Sequence, residues 1–242
     1  SKIEWCDVTW NPITGCTPIS EGCQNCYAKR MAQRLKGRYG YPEDDPFRPG
    51  TYHADKMIHP MLLKRPEMIF VCSMGDLFHD DVPMEKQDRI WHAMAQAARH
   101  TFMVLTKRSK NMAHFIDECG HFNYGTLPNV WLGVTAENQK AADERIPILL
   151  QIPAAVRFVS VEPMLGYMHI HHLIDRGIDW VIAGCESGPK RRPTEPEWLV
   201  RLMQQCRNAG TPFFLKQMDF DGKIESMPEL GGKTWNQFPK GR

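Results

Sequence analysis

Six short apolar runs, rich in β-branched and aromatic residues, recur along the chain, and each ends in a polar cluster. They are "MIFVCSMGD" (68–76), "TFMVLTKRS" (101–109), "NVWLGVTAEN" (129–138), "VRFVSVEP" (156–163), "DWVIAGCESG" (179–188) and "TPFFLKQMD" (211–219). A run that stays apolar at successive positions is buried on both faces, as a strand inside a parallel sheet is. Between the runs lie helical patterns at 83–100, 138–151 and 195–210, the first opened by Asp81 and Pro83 and the last closed by Gly210. Strands alternating with helices predict βα units and an α/β fold, either a partial or complete (β/α) barrel or a doubly wound sheet.

At 242 residues, with 42% hydrophobic side chains, the chain can bury one large core, and a single domain over 1–242 is expected. Two stretches interrupt the pattern. Residues 38–60 lack a period and read as an ordered insertion or lid, and 219–242 form a polar C-terminal extension in which "TWNQFP" (234–239) should dock two aromatics. A further irregular stretch, 119–129, joins a helix to a strand. No run approaches the ~18 apolar residues of a membrane span, and "SKIEWCDVTW" has no secretory pattern. A cytoplasmic protein with reduced thiols and no membrane partner is therefore expected, its eight cysteines free or ligating a metal. A formal charge of +2 leaves the partner open.

The polar residues fall at the carboxyl ends of the strands, the edge on which α/β folds build their sites. That edge would carry Ser73, Gly75 and Asp76; Thr106, Lys107 and Arg108; Thr135 and Glu137; Ser160 and Glu162; Glu186 and Ser187; Lys216 and Gln217. Glu162 and Glu186 are candidate catalytic carboxylates, or else partners of Arg157 or Arg192. Lys107, Arg108, Lys190, Arg191, Arg192 and Lys216 are candidates for substrate or phosphate, although a charge run also suits a solvated face. "HDDVP" (79–83) should cap the helix that follows. Cys6, Cys72, Cys119, Cys185 and Cys206 read as small buried hydrophobes, with Cys185 set apart by its place on the active edge, where it could exchange a hydrogen atom. Trp5, Trp10, Trp131 and Trp180 belong to the core or stack a flipped base.

The stretch "GCTPISEGCQNCYAKRMAQRL" (15–35) gathers Cys16, Cys23 and Cys26 as C-x6-C-x2-C just before a helix. A structural zinc site takes four protein ligands, and here the next histidine is His53; Cys72, Cys185 or His79 would have to supply the fourth. Three thiolates with an open corner suit a 4Fe-4S cluster whose fourth iron takes a small molecule.

That placement, a three-cysteine loop followed by a helix and a β/α pattern, resembles radical S-adenosylmethionine (radical-SAM) enzymes, with the last x2 interval kept and the first gap longer than the common x3. The aromatic usual before the third cysteine is replaced by Asn25, with Tyr27 just after as the candidate beside adenine. The strings "WNPITGCTPISEGCQNCYAKRMAQRL", "SMGDLFHDDVP", "TFMVLTKR", "LPNVWLGVTAENQKAADERIPILLQIPAAVRFVSVEPMLG", "DWVIAGCESGPKRRP" and "PFFLKQ" further resemble a phage and prophage family marked by a three-cysteine motif, over nearly the whole chain. The resemblance implies a barrel of the radical-SAM type with an N-terminal cluster-binding loop. Cys16, Cys23 and Cys26 would hold the cluster, and Ser73, Gly75 and Asp76 would meet the methionine amino group of S-adenosylmethionine. Thr135 and Ser160, with Glu162, Glu186 and Cys185, would face ribose, adenine or substrate. It also implies a phage- or prophage-encoded enzyme of the bacterial cytoplasm, served by an external electron donor. The enzyme would form a 5'-deoxyadenosyl radical and modify or rearrange a hypermodified thymine in phage DNA. The alternatives are a peptide or small metabolite as substrate, or a zinc or iron-sulfur nucleic-acid-binding protein without catalysis.

Overall fold

The computed structural model describes residues 3–120 and 124–240. The chain enters the main sheet through β1 (Val8–Trp10), then makes β2 (Ile13–Thr14), the cysteine loop and helix α1 (Tyr27–Leu35). Strand β3 (Thr51–Tyr52) pairs antiparallel with β2, and α2 (His59–Leu62) leads to β4 (Met68–Val71). Next come α3 (Met84–Gln96), β5 (Thr101–Thr106), α4 (Ser109–Phe115) with a wider π turn over Ile116–Gly120, β6 (Val130–Thr135) and α5 (Gln139–Leu149). Strand β7 (Val156–Val161), α6 (His171–Ile174), β8 (Trp180–Gly184), α7 (Pro196–Ala209), β9 (Phe213–Phe220) and β10 (Lys223–Ser226) complete it.

Strand order in the main sheet is β1-β4-β5-β6-β7-β8-β9-β10, all neighbours parallel except the final β9–β10 hairpin. The order never reverses, so the doubly wound alternative is excluded: the sheet curls one way into a half-barrel. Among the described residues no helix is long and apolar enough to cross a membrane.

Because side chains alternate across a strand, the half-barrel has two cores. The convex face, with Ile69, Val71, Val104, Leu132, Val159, Val181 and Leu215, packs under helical residues such as Ile90, Ile146 and Leu202. The concave face holds Phe70, Met103, Trp131, Phe158, Trp180, Ile182 and Phe214. Continuing that inward parity up each strand leads from Phe158 to Ser160 and Glu162, from Trp131 to Thr135, and from Phe214 to Lys216. The barrel is thus plugged with aromatics below and polar above. Gly133 lets this happen, since a Cβ there would sit 2.5 Å from the Phe158 ring. The four candidate tryptophans are all core residues, at 4% exposure or less.

Several expectations are corrected. The helix read over 83–100 runs from Met84 to Gln96, and its N-cap is Pro83, without a side-chain cap. Asp81 lies too far upstream to cap it; its amide instead donates to His79 Nδ1 at 3.0 Å. Three-residue β1 is too short to announce itself by period. The extension at 219–240 begins as the β9–β10 hairpin, after which Trp235 packs on Phe213 and Phe238 on Trp180. Residues 121–123 of the irregular stretch 119–129 and residues 241–242 of the tail lie outside the described residues.

The 38–60 insertion is ordered. Its Tyr41 and Phe47 join Ala28, Ala32 and Met74 in a small separate core against which Cys16 and Cys26 pack. His53 lies beneath it, 4% exposed, with Nε2 2.7 Å from Thr14 Oγ1. Burial, reinforced by Lys56 and opposed by Asp55, pushes its pKa down to about 4. The folded protein therefore holds His53 neutral while the unfolded chain protonates near ~6.5. Its stabilising share is complete above that pH and is lost as pH falls through about 4. Urea midpoints followed from pH 7 to pH 4 should fall less steeply in a His53→Gln variant than in the unmodified protein.

Candidate functional site

Above the aromatic plug, the carboxyl ends of the parallel strands surround a cavity of about 350 Å³. That volume lies within the range of small-ligand sites. Cys16, Cys23 and Cys26 all line it. So do Tyr27, Ser73, Gly75, Asp76 and Thr106, then Lys107, Arg108, Thr135 and Ser160, and finally Glu162, Cys185, Glu186 and Lys216. Lys190, Arg191 and Arg192 are not among the lining residues.

The cysteine loop is held to the strand ends by close backbone approach and by a chain of polar contacts. Gly15 takes φ +83° and forms a parallel bridge with Gly75, and its amide donates to Met74 O at 2.9 Å. A Cβ on Gly15 would lie 1.8 Å from the Arg48 carbonyl oxygen, so only glycine fits. Just beyond, Arg108 reaches Cys16 Sγ at 3.3 Å, Asp76 Oδ2 at 3.2 Å, and Thr17 through its carbonyl at 3.1 Å and hydroxyl at 3.0 Å. Thr106 donates to the same Asp76 carboxylate at 2.8 and 2.9 Å, as the Phe78 amide does at 3.0 Å. His79 Nδ1 accepts from the Asp81 amide, so the neutral ring carries its proton on Nε2 and donates to Thr17 Oγ1 at 2.8 Å.

A second clamp holds the other end of the loop. Asn25 donates to Glu186 Oε2 at 2.7 Å and to Lys190 O at 2.8 Å. Arg192 adds its amide at 2.9 Å and its Nε at 3.1 Å to the same Oε2, and Nη2 to Oε1. Both Glu186 oxygens are thereby occupied. Burial would raise the carboxyl, but Arg192 and Asn25 outweigh it and hold its pKa below the usual range. Tyr27 donates its hydroxyl to Ser73 O, and Asn11 Oδ1 accepts from Ser73 Oγ at 3.1 Å and from the Met74 amide at 2.9 Å. Helix α1 and the turn after β4 are thus locked together behind the cysteines.

The thiols differ in charge environment. Burial, together with Asp76, pushes Cys16 up to about 11 against the pull of Arg108. Burial also raises Cys23, but Lys107 and hydrogen bonds at Ile19 and Ser20 outweigh it and hold that thiol below its ordinary value. Deeper in the cavity, burial pushes Cys72 up to about 12 and Cys185 up to about 11. Cys206 is buried as expected, whereas Cys6 and Cys119 are half-buried. His79, the histidine considered as a fourth ligand, has both ring nitrogens committed. Among the described residues no three His, Cys, Asp or Glu side chains converge as one metal ion requires. Three cysteines lining one cavity would fit different corners of a cubane rather than a single metal ion.

On the far wall Lys216 Nζ lies 3.3 Å from Glu162 Oε1. Burial works to lower the lysine, but Glu162 and Glu4 outweigh it and keep it above its ordinary value. Ser160 Oγ reaches Glu162 Oε2 at 3.5 Å, and Thr135 and Ser160 are 3% and 1% exposed. Of the basic residues read as a phosphate rim, Lys107 and Lys216 face the cavity. Arg108 faces it as well, but is spent on the cysteine loop. Arg191 is bound to Asp219, Gly188 O and Gly222 O, and Arg192 to Glu186. Sequence reasoning missed Glu4, which lines the cavity, as well as Asn25 and Thr17 as ties of the loop. Asn25 could have been suspected from its place between two cysteines; nothing in the sequence marks Glu4.

The chain belongs to a family whose model, described as "Protein of unknown function (DUF5131)", matches residues 1–239. No curated protein and no solved structure matches it.

The Arg108–Asp76 pair is 6% and 7% exposed at its side chains. Removing one partner leaves a buried charge alone, which costs about 3–5 kcal/mol. Arg108→Met should therefore lose about that much in urea denaturation. Adding Asp76→Leu should restore a large part of it, a coupling that a double-mutant cycle reads directly.

Proposed function

We propose that this member of the family is a radical-SAM enzyme in which Cys16, Cys23 and Cys26 ligate a 4Fe-4S cluster. The observation that carries the reading is that Cys16, Cys23 and Cys26 meet on one cavity at the carboxyl ends of the half-barrel strands, a cavity that the buried Cys72 and Cys185 also line, while no three His, Cys, Asp or Glu side chains among the described residues converge on one metal position. When bound, the cluster would supply one electron to the sulfonium of S-adenosylmethionine, releasing methionine and a 5'-deoxyadenosyl radical.

The chain's own residues then have distinct tasks. Arg108, Asn25 and the Gly15–Gly75 contact fix the loop, so that the thiol positions are set before any ligand arrives. The Ser73–Asp76 turn would meet an ammonium group through its backbone carbonyls, the Asp76 carboxylate being engaged by Arg108, Thr106 and the Phe78 amide, while Thr135 and Ser160 offer hydroxyls to a ribose. Tyr27 presents its ring at the mouth, 38% exposed, where an adenine could lie against it. Glu162 and Lys216 orient the substrate and can hold a proton between them, and Cys185 can give or take a hydrogen atom at Sγ. The aromatic plug below excludes water from the cavity floor. Glu186 is assigned as a positioning residue, since its oxygens are filled by Arg192 and Asn25. The substrate favoured is a hypermodified thymine of phage DNA, in the cytoplasm of a bacterial host, with an external electron donor.

Anaerobic reconstitution with iron and sulfide, followed by dithionite and S-adenosylmethionine, tests the class. About four irons per chain are expected, with 5'-deoxyadenosine formed by the unmodified protein and not by Cys23→Ala. One tightly bound zinc per chain without deoxyadenosine would instead establish a metal-stapled binding protein.

A further inference from the structure

The basic residues that stand out in the sequence, Arg108, Arg191 and Arg192, are consumed by internal partners, whereas another set has no carboxylate partner among the described residues. Residues 22–42 contain Lys29, Arg30, Arg34, Lys36 and Arg38 and no acidic residue, although the whole chain carries only +2. All five are exposed. Arg30 donates to Ser187 O at 3.2 Å and Arg38 to Arg34 O, but no carboxylate among the described residues pairs with any of the five. Lys29, Arg34 and Lys36 have no side-chain partner there at all.

The strip begins at the cavity. Tyr27 and Ala28, in the first turn of α1, line it, as does Ser187, which Arg30 holds. Gly188, at φ +110°, leaves room for the Arg30 guanidinium, because a Cβ there would lie 2.1 Å from Nη1. Exposed Lys190 lies on the same rim, its carbonyl accepting from Asn25. Unpaired cations held beside a mouth raise the local concentration of a polyanion. The nine residues of α1 span ~13 Å, the axial length of about four phosphates on one DNA strand. Apart from Tyr27 at the cavity mouth, the exposed side chains of this helix, Lys29, Arg30, Gln33 and Arg34, carry no large apolar group to enter a bilayer.

We infer that the exposed basic face of α1, continued by Lys36 and Arg38, is the docking surface for the phosphate backbone of DNA, set so that one nucleotide is presented to the cavity. The catalytic meaning of this surface rests on the proposed radical-SAM reading; docking itself does not. A base held against α1 reaches the cavity only if it leaves the stack, so binding and unstacking are coupled at this mouth.

The test is fluorescence anisotropy of a fluorescein-labelled DNA duplex with the cluster-loaded protein, titrated between ~50 and ~200 mM salt. A Lys29→Glu, Arg34→Glu, Lys36→Glu variant should bind at least ~10-fold more weakly, with the slope of log Kd against log salt reduced by about 2 to 3. Iron content and 5'-deoxyadenosine yield should be unchanged, since none of the three side chains touches the cavity. A variant with the same charge change elsewhere, at exposed Lys64, Lys140 and Arg176, should bind as the unmodified protein does. Equal weakening by both variants, or no binding of the duplex at the lowest salt, would overturn the inference. Duplex binding that depends on α1 in a protein that makes no deoxyadenosine would uphold the docking surface while sinking the radical reading.

Discussion

The buried contact of Arg108 with Asp76 is the constraint on which the site depends. Asp76 follows β4, Arg108 follows β5, and the guanidinium that spans them also reaches Cys16 and Thr17, 92 and 91 residues away in sequence. One side chain therefore ties two strand ends to the loop that carries the thiols. A charge buried to this degree is tolerable only with its partners in place, so the loop cannot drift without stranding a charge. Glu186 does the same at the other end, linking β8 to Asn25 between the last two cysteines. The loop is short of regular structure yet is not free.

The half-barrel prepares this arrangement through parity. Several strands cross from an apolar lower layer to a polar upper one, and in two of them the inward positions switch character within two residues, from Phe158 to Ser160 and from Phe214 to Lys216. The lower layer supplies apolar burial and excludes solvent; the upper layer keeps hydroxyls, a carboxylate and an ammonium around one space. A half-buried Lys216–Glu162 pair contributes little net stability by itself. Both residues line the cavity.

The strands, their parallel arrangement and the polar edge were legible because burial on both faces writes a continuous apolar run and the exit from burial writes a polar cluster. The three cysteines were legible by spacing. Pairing was not. Nothing local says that Arg108, adjacent to Lys107 in a basic dipeptide, turns inward to a carboxylate 32 residues away while Lys107 lines the cavity. Arg192 was open to two readings, phosphate ligand or partner of Glu186, and the structure gives it to Glu186. The cations of α1 carry no sequence signal of their own and are informative only because no carboxylate among the described residues pairs with them. Asp81 was misread for a different reason: Pro83 takes the cap position, leaving the residues before it to form the turn that presents His79 to the cysteine loop.

The central claim is that three protein thiolates leave one iron open to S-adenosylmethionine. Electron-nuclear double resonance on the reduced, reconstituted protein tests this most directly, using cosubstrate labelled with nitrogen-15 at the methionine amino group. The account predicts a hyperfine coupling from that nitrogen, present in the unmodified protein and dependent on the labelled cosubstrate. A fully reconstituted cluster whose spectrum shows no coupling to the label would contradict it, because no iron would then be open to the proposed cosubstrate.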